Sequence, residues 1–196
     1  RPFTGRPGAF VRTAGRRDFS FPPPGPTLLD ALVENGRSVV TVGKIHDLFA
    51  GRGITRIVKA GTTEAAMRGA DRVVREGAPF SLLFVNLIDF DTVWGHRRDP
   101  VGYARSLERF DAWIGRFAAS LPRGTLFAVT SDHGCDPTMP GSDHTREHVP
   151  IIAAIAGRRR GSALGTRGAL SDLAATLAEW FGVPPTAGES FLAALE

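Results

Sequence analysis

The amino-acid sequence predicts an α/β fold in which a parallel-rich sheet is flanked by helices. Short apolar segments of strand composition alternate along the chain with helical patterns of roughly 10 to 20 residues, which is typical of strand–helix–strand units. The apolar segments are continuous runs, as expected for strands that are covered on both faces. With 196 residues, of which 42% are hydrophobic, the chain can bury a sizeable core.

The first elements of this fold follow a proline-rich boundary. The sequence FPPPGP at 21–26 predicts a stiff, extended stretch of chain. Thr27 comes directly after it and is a favourable N-cap for a helix over 28–36, which ends in a glycine. The β-branched segment 38–43 predicts a strand, and 44–53 predicts a turn of helix and a loop.

Helical and strand patterns alternate again from residue 62 to the end of the chain. Apolar residues spaced by three or four indicate helices, and uninterrupted apolar runs indicate buried strands. In chain order, these patterns predict a helix over 64–77, a strand over 80–88, a helix from Asp99 to Ser120, strands over 125–131 and 149–156, a helix over 170–182 and a last helix over 190–196.

Charge and hydropathy argue against two kinds of partner. The net charge is +4, but the basic residues are scattered, and the only tight cluster is GRRRG at 157–161. A single run of this kind is typical of a solvated loop, so we expect no nucleic-acid partner. No apolar segment approaches the ~20 residues of a membrane span, so we expect no membrane partner either. A modest positive charge suits a small phosphorylated substrate.

The start of the chain and its cysteine content indicate the compartment. Arg1 opens a polar stretch without an apolar leader, and Cys135 is the only cysteine, so no internal disulfide can form. We therefore expect a cytoplasmic protein. Residues 1–20 do not begin with methionine and keep neither the helical nor the strand period for long. We interpret them as the end of a segment whose beginning is absent.

Acidic residues and histidines follow two of the predicted strands. The strands over 80–88 and 125–131 each run into an aspartate and a histidine within a few positions. Ligands of α/β sheets bind at the carboxyl ends of the strands, so we expect these side chains to meet in one site. A later loop rich in Gly, Pro and Ser adds another histidine. The five candidate ligands are Asp91, His96, Asp132, His133 and His144.

This donor set favours divalent metal ions. Manganese and zinc accept mixed nitrogen and oxygen ligands, and the absence of thiolate ligands argues against a structural zinc site. Two ions about 3.5–4 Å apart would suit phosphoryl transfer. We expect Asp89 to act as a helix cap or to support a ligand. We expect Arg97 and Arg98 to form ordinary ion pairs or to orient a carboxylate or phosphate.

Long stretches of the chain resemble a known family. TSDHGCDPTMPGSDHTREHVPI at 130–151 and NLIDFDTVWGHRRDPVGYARSLERFDAWI at 86–114 resemble the second half of phosphopentomutases, which are metalloenzymes of the alkaline phosphatase superfamily. Residues 1–32, 42–55 and 164–192 resemble the same family, so the likeness covers the whole chain. The resemblance implies an alkaline-phosphatase-like core.

The resemblance also assigns roles to individual residues. It implies that Asp91, His96 and His144 bind one Mn²⁺ and that Asp132 and His133 bind a second, although another divalent metal is compatible with these ligands. Arg12 and Lys44 match stretches that approach the sugar phosphate or the bisphosphate. The implied substrates are ribose 1-phosphate and ribose 5-phosphate, together with the deoxy pair, and a bisphosphorylated sugar acts as activator.

The chain departs from the family at its beginning. The family's nucleophilic threonine and first metal-binding aspartate lie before an inserted cap domain, in segments that this sequence does not contain. The resemblance therefore implies that 1–20 is the C-terminal remnant of the cap and that 21–196 is the C-terminal part of an incomplete core. We expect the chain alone to be inactive and its partner to be the missing N-terminal half.

Two alternatives remain open on the sequence. The same five ligands would serve another enzyme of the superfamily, such as a phosphatase, a phosphodiesterase or a phosphoglycerate mutase. Because the nucleophile is missing, the chain could also be a metal-binding module without catalytic activity. Turnover of different phosphorylated substrates would distinguish a phosphopentomutase from these other enzymes. The sequence encoded upstream would distinguish an enzyme fragment from a metal-binding module.

Overall fold

Strands and helices alternate through the part of the chain that the computed structural model describes, residues 3–13, 19–158, 161–185 and 187–196. The elements in chain order are β1 (Phe3–Arg6), β2 (Ala9–Arg12), α1 (Leu28–Glu34), β3 (Val39–Val42), α2 (Ile45–Leu48), β4 (Arg56–Val58), α3 (Thr63–Glu76), β5 (Leu82–Val85), a π-helix (Phe90–Gly95), α4 (Pro100–Ser120), β6 (Leu126–Thr130), β7 (Ile151–Ile155), α5 (Ser171–Phe181) and a 3₁₀-helix (Leu192–Ala194).

The strands form one parallel sheet and two antiparallel pairs. The parallel sheet has the order β4-β3-β5, so the carboxyl ends of these strands lie at one edge. β6 pairs with β7, and β1 pairs with β2, in both cases antiparallel. This architecture confirms the predicted α/β class with a parallel sheet flanked by helices, and the β6–β7 pair shows where the topology is mixed.

One side of the parallel sheet packs against α1 and α5. All four residues of β3 are buried, as expected for the central strand. Leu29 and Leu32 of α1 form a buried cluster with Val39 of β3, Ala178 of α5 and Val183. Full burial of one such aliphatic side chain contributes about 1.5–3 kcal/mol. The α1 helix begins where the sequence predicts, at a capping box. The side chain of the N-cap residue accepts from the backbone N–H of the third helical residue, whose own side chain accepts from the backbone N–H of the N-cap residue.

Helices α3 and α4 cover the opposite side. Trp113 and Phe117 of α4 form a buried cluster with Ala70 of α3, and residues of both β5 and β6 pack against this cluster, among them Val85 and Phe127. One helical layer therefore spans two strands that belong to different sheets. This shared cover brings the carboxyl ends of β5 and β6 to the same region of the molecule.

Several elements of the structure differ from the sequence prediction. A β-hairpin (β1 and β2) occupies part of the irregular N-terminal segment, and the short strand β4 was not predicted. The helix expected over 190–196 is reduced to the 3₁₀-helix. There the backbone N–H of Phe191 donates to Oγ1 of Thr176, and the backbone N–H of Leu192 donates to Oγ of Ser190. Two backbone donors of this segment therefore bond to side-chain hydroxyls. Among the described helices, none has the length and apolar character to cross a membrane.

Candidate metal centre

The segment after β5 is anchored to the N-terminus of α3. The backbone N–H of Thr63 donates to the Asp89 carboxylate at 2.7 Å, and the backbone N–H of Asp89 donates to Oγ1 of Thr63 at 3.0 Å. An anionic side chain is favourable at this end of a helix. Asp89 therefore caps a helix, as the sequence predicts, and fixes the start of the π-helix that carries Asp91.

The π-helix and the residue after it supply the first two donors. The backbone N–H of His96 bonds to the carbonyl of Asp91 at 2.9 Å, which is the wide i→i+5 turn of a π-helix. This turn places both side chains on one side of the segment. The Nε2 atom of His96 lies 3.2 Å from Oδ1 of Asp91.

A third donor comes from the loop after β6. The Nε2 atom of His144 lies 3.2 Å from the same Oδ1 atom of Asp91. One ligand atom from each of Asp91, His96 and His144 can be chosen so that all three lie within 4.8 Å of one another. The structure thus brings together three predicted ligands that are up to 53 positions apart in the sequence.

The contact of the His96 ring with the backbone indicates which of its nitrogens can bind a metal ion. Its Nδ1 atom lies 2.5 Å from the carbonyl oxygen of Ser142, which can only accept, so the two form a hydrogen bond in the tautomer with the proton on Nδ1. In that tautomer the Nε2 lone pair, on the side of the Asp91 carboxylate, is free to bind a metal ion. Metal-ligating histidines typically donate their other ring N–H to a carbonyl in this way. Two imidazole nitrogens around one carboxylate are a donor set that fits Mn²⁺ or Zn²⁺.

Asp132 and His133 form a second, smaller group beside the first. Nδ1 of His133 is 3.1 Å from the carbonyl of Gly134, and its Nε2 is 3.7 Å from Oδ1 of Asp132. The His133 ring stacks on that of His144 with centroids 3.6 Å apart, and the rings of His96 and His144 are 4.8 Å apart. All five predicted ligands therefore lie in one continuous cluster, in which the Asp132 side chain is 75% exposed.

Two glycines allow the segments of the cluster to approach closely. Gly95 is buried, and a Cβ atom there would overlap Sγ of Cys135 and lie 2.8 Å from the carbonyl oxygen of Phe90. A Cβ atom at Gly134 would overlap Glu147 and lie 2.8 Å from the carbonyl oxygen of Thr145. The first contact joins the π-helix to the loop after β6, and the second closes that loop on itself.

The charges around the cluster act on neighbouring groups. Burial raises the pKa of the Cys135 thiol, and the nearby Asp91 carboxylate adds to the increase. The side-chain and backbone hydrogen bonds from Thr138 lower the pKa of Asp136. Cys135 is therefore held as a neutral thiol beside the donors, and Asp136 is held as a carboxylate that orders its own turn.

Arg98 has a role that the sequence did not indicate. The expected ion pair does not form among the described residues; the guanidinium donates instead to three backbone carbonyls, those of Asp136, Gly141 and Asp143. Sequence patterns cannot reveal such a contact, since every residue has a carbonyl. Arg97, the other member of the pair, is exposed.

The two predicted substrate residues lie on other elements. Lys44 follows β3 at the sheet edge from which the chain also leaves β5, and the preceding Gly43 packs against Asn86 so closely that a Cβ atom would be 2.8 Å from its carbonyl. Arg12 ends β2, and its side chain lies outside the described part of the structure. Their assignment to a substrate remains a prediction.

A large cavity adjoins the second group of ligands. Its volume is about 1040 Å³, and its lining includes Asp132, His133, Ile152 of β7 and Leu170. The last two side chains are each 62% exposed. An apolar strand face of a covered sheet would normally be buried, so this face is available for further polypeptide or ligand.

Fold and site together define an α/β protein with a candidate divalent-metal centre beyond the carboxyl ends of its strands. The comparison with protein families agrees with this class, because the model of the Metalloenzyme superfamily matches residues 31–185. The chain belongs to the Metalloenzyme superfamily.

Several curated relatives match almost the whole chain. Proteins named phosphopentomutase from Anaeromyxobacter dehalogenans (strain 2CP-C) and Methylobacterium nodulans are each 53% identical to it over 98% of its length. One from Caldanaerobacter subterraneus subsp. tengcongensis is 48% identical over 98%. The matches cover 49%, 48% and 49% of these relatives, respectively, so the chain spans about half of their length.

A solved structure supports the fold. The PH0037 protein from Pyrococcus horikoshii superposes with a TM-score of 0.53 over 65% of this chain and 40% of its own. The two sequences are 19% identical, so the similarity concerns the fold alone.

Proposed function

We propose that this chain is the metal-binding half of a phosphopentomutase. The observation that carries the proposal is the convergence of Asp91, His96 and His144 on one point in a chain that shares about half its residues with proteins of that name. The activity is the interconversion of ribose 1-phosphate and ribose 5-phosphate, and of the corresponding deoxyribose phosphates. The proposed location is the cytoplasm.

The residues of the cluster divide into two metal sites in this proposal. Asp91, His96 and His144 hold one Mn²⁺. Asp132 and His133 hold the other, together with a carboxylate from outside this chain. Bound there, the ions would lower the pKa of a hydroxyl nucleophile and stabilise negative charge on the transferring phosphoryl group. The Nδ1 atoms of His96 and His133 both lie within hydrogen-bond distance of backbone carbonyls, so in the proposal Nδ1 carries the proton and Nε2 of each ring is the ligand atom.

The transfer itself uses a threonine that this chain does not supply. Its phosphoryl group passes to the free O1 or O5 hydroxyl of the sugar phosphate, and the P–O bond to the threonine breaks. The resulting bisphosphate returns its other phosphoryl group to the threonine, which completes the isomerisation. Arg12 and Lys44 supply positive charge for the sugar phosphate, and a bisphosphorylated sugar primes the threonine.

Two features of the structure support a partner half. β5 pairs with β3 on one edge and β6 pairs with β7 on one edge, and among the described strands neither has a partner on its other edge. Because α3 and α4 cover both strands, the two open edges lie under one helical layer. Open edges are costly in an isolated fold, so we propose that a strand of the missing half pairs between them.

The exposed apolar face of β7 is consistent with the same arrangement. The cavity next to Asp132 and His133 is bordered by apolar side chains of this strand and of the segment after it. In the proposal, polypeptide from the missing half covers this face. We also propose that residues 1–20 are the end of a cap domain and that residues 21–196 are the C-terminal part of the core.

The alternatives are not favoured. A phosphatase, a phosphodiesterase or a phosphoglycerate mutase would use similar ligands, but the relatives that match nearly the entire chain are named phosphopentomutase. The relatives carry the name of an enzyme, which does not favour a module that only binds metal.

A chimera tests the proposal directly. This chain would replace the matching half of the Anaeromyxobacter dehalogenans relative, and a coupled assay would follow formation of ribose 5-phosphate from ribose 1-phosphate. We expect the chimera to turn over this substrate far faster than p-nitrophenyl phosphate or 3-phosphoglycerate, and the 196-residue chain alone to be inactive. A folded chimera that prefers either of the other substrates would refute the assignment, and mutase activity in the chain alone would refute the need for a second half.

A further inference from the structure

We infer that Arg98 is a positioning residue for the metal centre, a role that rests on the proposed function of the cluster. Its guanidinium holds the segment 136–144, here called the ligand loop, in the conformation that directs two imidazole nitrogens at Asp91. Arg98 itself does not contact the Asp91 carboxylate in any described hydrogen bond or ion pair, so its effect passes through the loop.

The ligand loop has little apolar burial to hold it. Residues 138–144 are all exposed, and the loop has no helix or strand. Loops of this kind open locally at low free-energy cost. Its end nevertheless carries His144, whose Nε2 atom must remain 3.2 Å from the Asp91 carboxylate.

Arg98 bonds to the loop at three separate points. Its NH1 group donates to the carbonyl of Asp136 at 2.5 Å, its Nε–H donates to the carbonyl of Gly141 at 2.5 Å, and its NH2 group donates to the carbonyl of Asp143 at 2.8 Å. The planar guanidinium offers its N–H groups in a fixed fork, so three acceptors bound at once must adopt one arrangement. The loop is therefore fixed at its start and near its end.

These contacts bear on both histidines of the triad. Asp143 directly precedes His144, so its carbonyl fixes the backbone next to that ligand. Gly141 and Asp143 flank Ser142, whose carbonyl accepts the Nδ1 proton of His96. One side chain thereby holds the backbone next to His144 and the carbonyl to which Nδ1 of His96 bonds.

The backbone at Arg98 is unusual in a way that agrees with this role. Its φ angle is 54°, a left-handed conformation that few non-glycine residues adopt. Bonds from its own N–H to the carbonyl of Gly95 and from the N–H of Asp99 to the carbonyl of Trp94, both 3.0 Å, hold it there. Strained residues of this kind persist where the surrounding structure requires them, and they cluster at functional sites.

The test compares Arg98→Ala and Arg98→Lys with Arg97→Ala, which removes the neighbouring exposed arginine. Co²⁺ is titrated into the full chain and followed by its visible absorption, and circular dichroism verifies the fold. We expect Arg98→Ala to weaken Co²⁺ binding by about 10- to 100-fold and to change the absorption band, as is typical for residues behind metal ligands. Arg98→Lys should lie between Arg98→Ala and wild type, because one ammonium cannot span three carbonyls. Arg97→Ala should match wild type.

A second readout does not depend on metal. Nitrogen-15 spectra of the histidine rings, recorded without metal at a pH where imidazole is neutral, report which nitrogen of His96 carries the proton. We expect the Nδ1–H tautomer, which bonds to Ser142, to be populated in wild type and Arg97→Ala, and its population to fall in Arg98→Ala, where the Asp91 carboxylate beside Nε2 then favours the other tautomer. If wild type binds no Co²⁺, the proposed metal centre is refuted and the tautomer alone decides the role of Arg98. If Arg98→Ala does not fold, Arg98→Lys takes its place. An unchanged tautomer together with unchanged Co²⁺ binding would overturn the inference.

Discussion

Replacing Gly95 by alanine should separate the two segments that build the metal centre. The added Cβ would overlap Sγ of Cys135 and lie 2.8 Å from the carbonyl oxygen of Phe90, where ordinary van der Waals contact begins at 3.4 Å. The thiol belongs to the loop after β6, and the carbonyl belongs to the π-helix itself. Relieving both contacts requires the backbone to move, so we expect a loss of about 1–3 kcal/mol in the free energy of unfolding, the usual cost of overpacking.

Urea unfolding of matched variants measures this effect. Gly115→Ala is the control, because Gly115 is an exposed position inside α4 and its Cβ would meet nothing within 4 Å. That change should stabilise the chain by about 0.5–1 kcal/mol. Adding Cys135→Ala to Gly95→Ala removes the sulfur but not the carbonyl, so the double variant should recover only part of the loss. Unaltered stability and Mn²⁺ affinity in Gly95→Ala would refute the packing argument.

Three further predictions concern the acidic residues. Asp91→Asn keeps the shape of the side chain but removes the charge shared by two imidazoles. Loss of a residue that hydrogen-bonds to a metal ligand typically lowers affinity by about 10- to 100-fold. Asp91→Asn changes a ligand itself, so it should lower Mn²⁺ affinity, measured by calorimetric titration, by more than that. An affinity equal to wild type would contradict the site. Asp89→Ala removes the carboxylate that accepts from the N–H of Thr63 at the start of α3 and leaves the N-cap residue Thr62 in place. It should cost about 1–2 kcal/mol in urea unfolding, and a stability equal to wild type would exclude this supporting role. Stability should also fall in acid. Burial raises the pKa of Asp30, but the hydrogen bonds from Thr27 and Arg52 outweigh it, so the pKa lies below 3.8. The pKa of Asp172 is also lowered, first by the hydrogen bond from the backbone N–H of Glu189 and then by Arg167. The contribution of each carboxylate is complete above its unfolded pKa of 3.8 and is lost as the pH falls through the lower folded value. Urea midpoints measured from pH 6 to 2 should therefore decline less in Asp30→Asn and Asp172→Asn, and parallel declines in wild type and variants would contradict this.

Elements whose signals are local could be predicted from the sequence. Thr27 and Asp30 form the capping box of α1, and Asp99 accepts a hydrogen bond from the N–H of Gly102 at 2.8 Å at the start of α4. In both cases the residues that begin the helix lie within three positions of each other. The alternation of such helices with apolar runs was enough to predict the α/β class.

Elements that depend on distant partners could not be predicted in this way. β4 has three residues, and its burial alternates too briefly to give a period, so it is a strand only because β3 lies beside it. The β1–β2 hairpin likewise exists through the pairing of two four-residue segments. The segment predicted as the last helix forms only a 3₁₀-helix, and the bond from the backbone N–H of Phe191 to Oγ1 of Thr176, 15 positions away, gave no local signal.

The candidate site shows the same division. Asp91, His96 and His144 could be proposed because carboxylates and imidazoles after apolar strands are rare enough to be noticed, and the structure places them together. The contact of Gly95 with Cys135 and the bonds of Arg98 to the ligand loop left no such signal. Both depend on where the backbone of another segment passes, which only the folded chain determines.

The central claim is that Asp91, His96 and His144 together bind a divalent metal ion. Crystals of the chain grown with Mn²⁺, measured at the manganese absorption edge, test it most directly. We predict an anomalous peak within bonding distance of the Asp91 carboxylate and of Nε2 of His96 and His144. No peak among these three side chains, at a Mn²⁺ concentration that saturates the protein in solution, would contradict it.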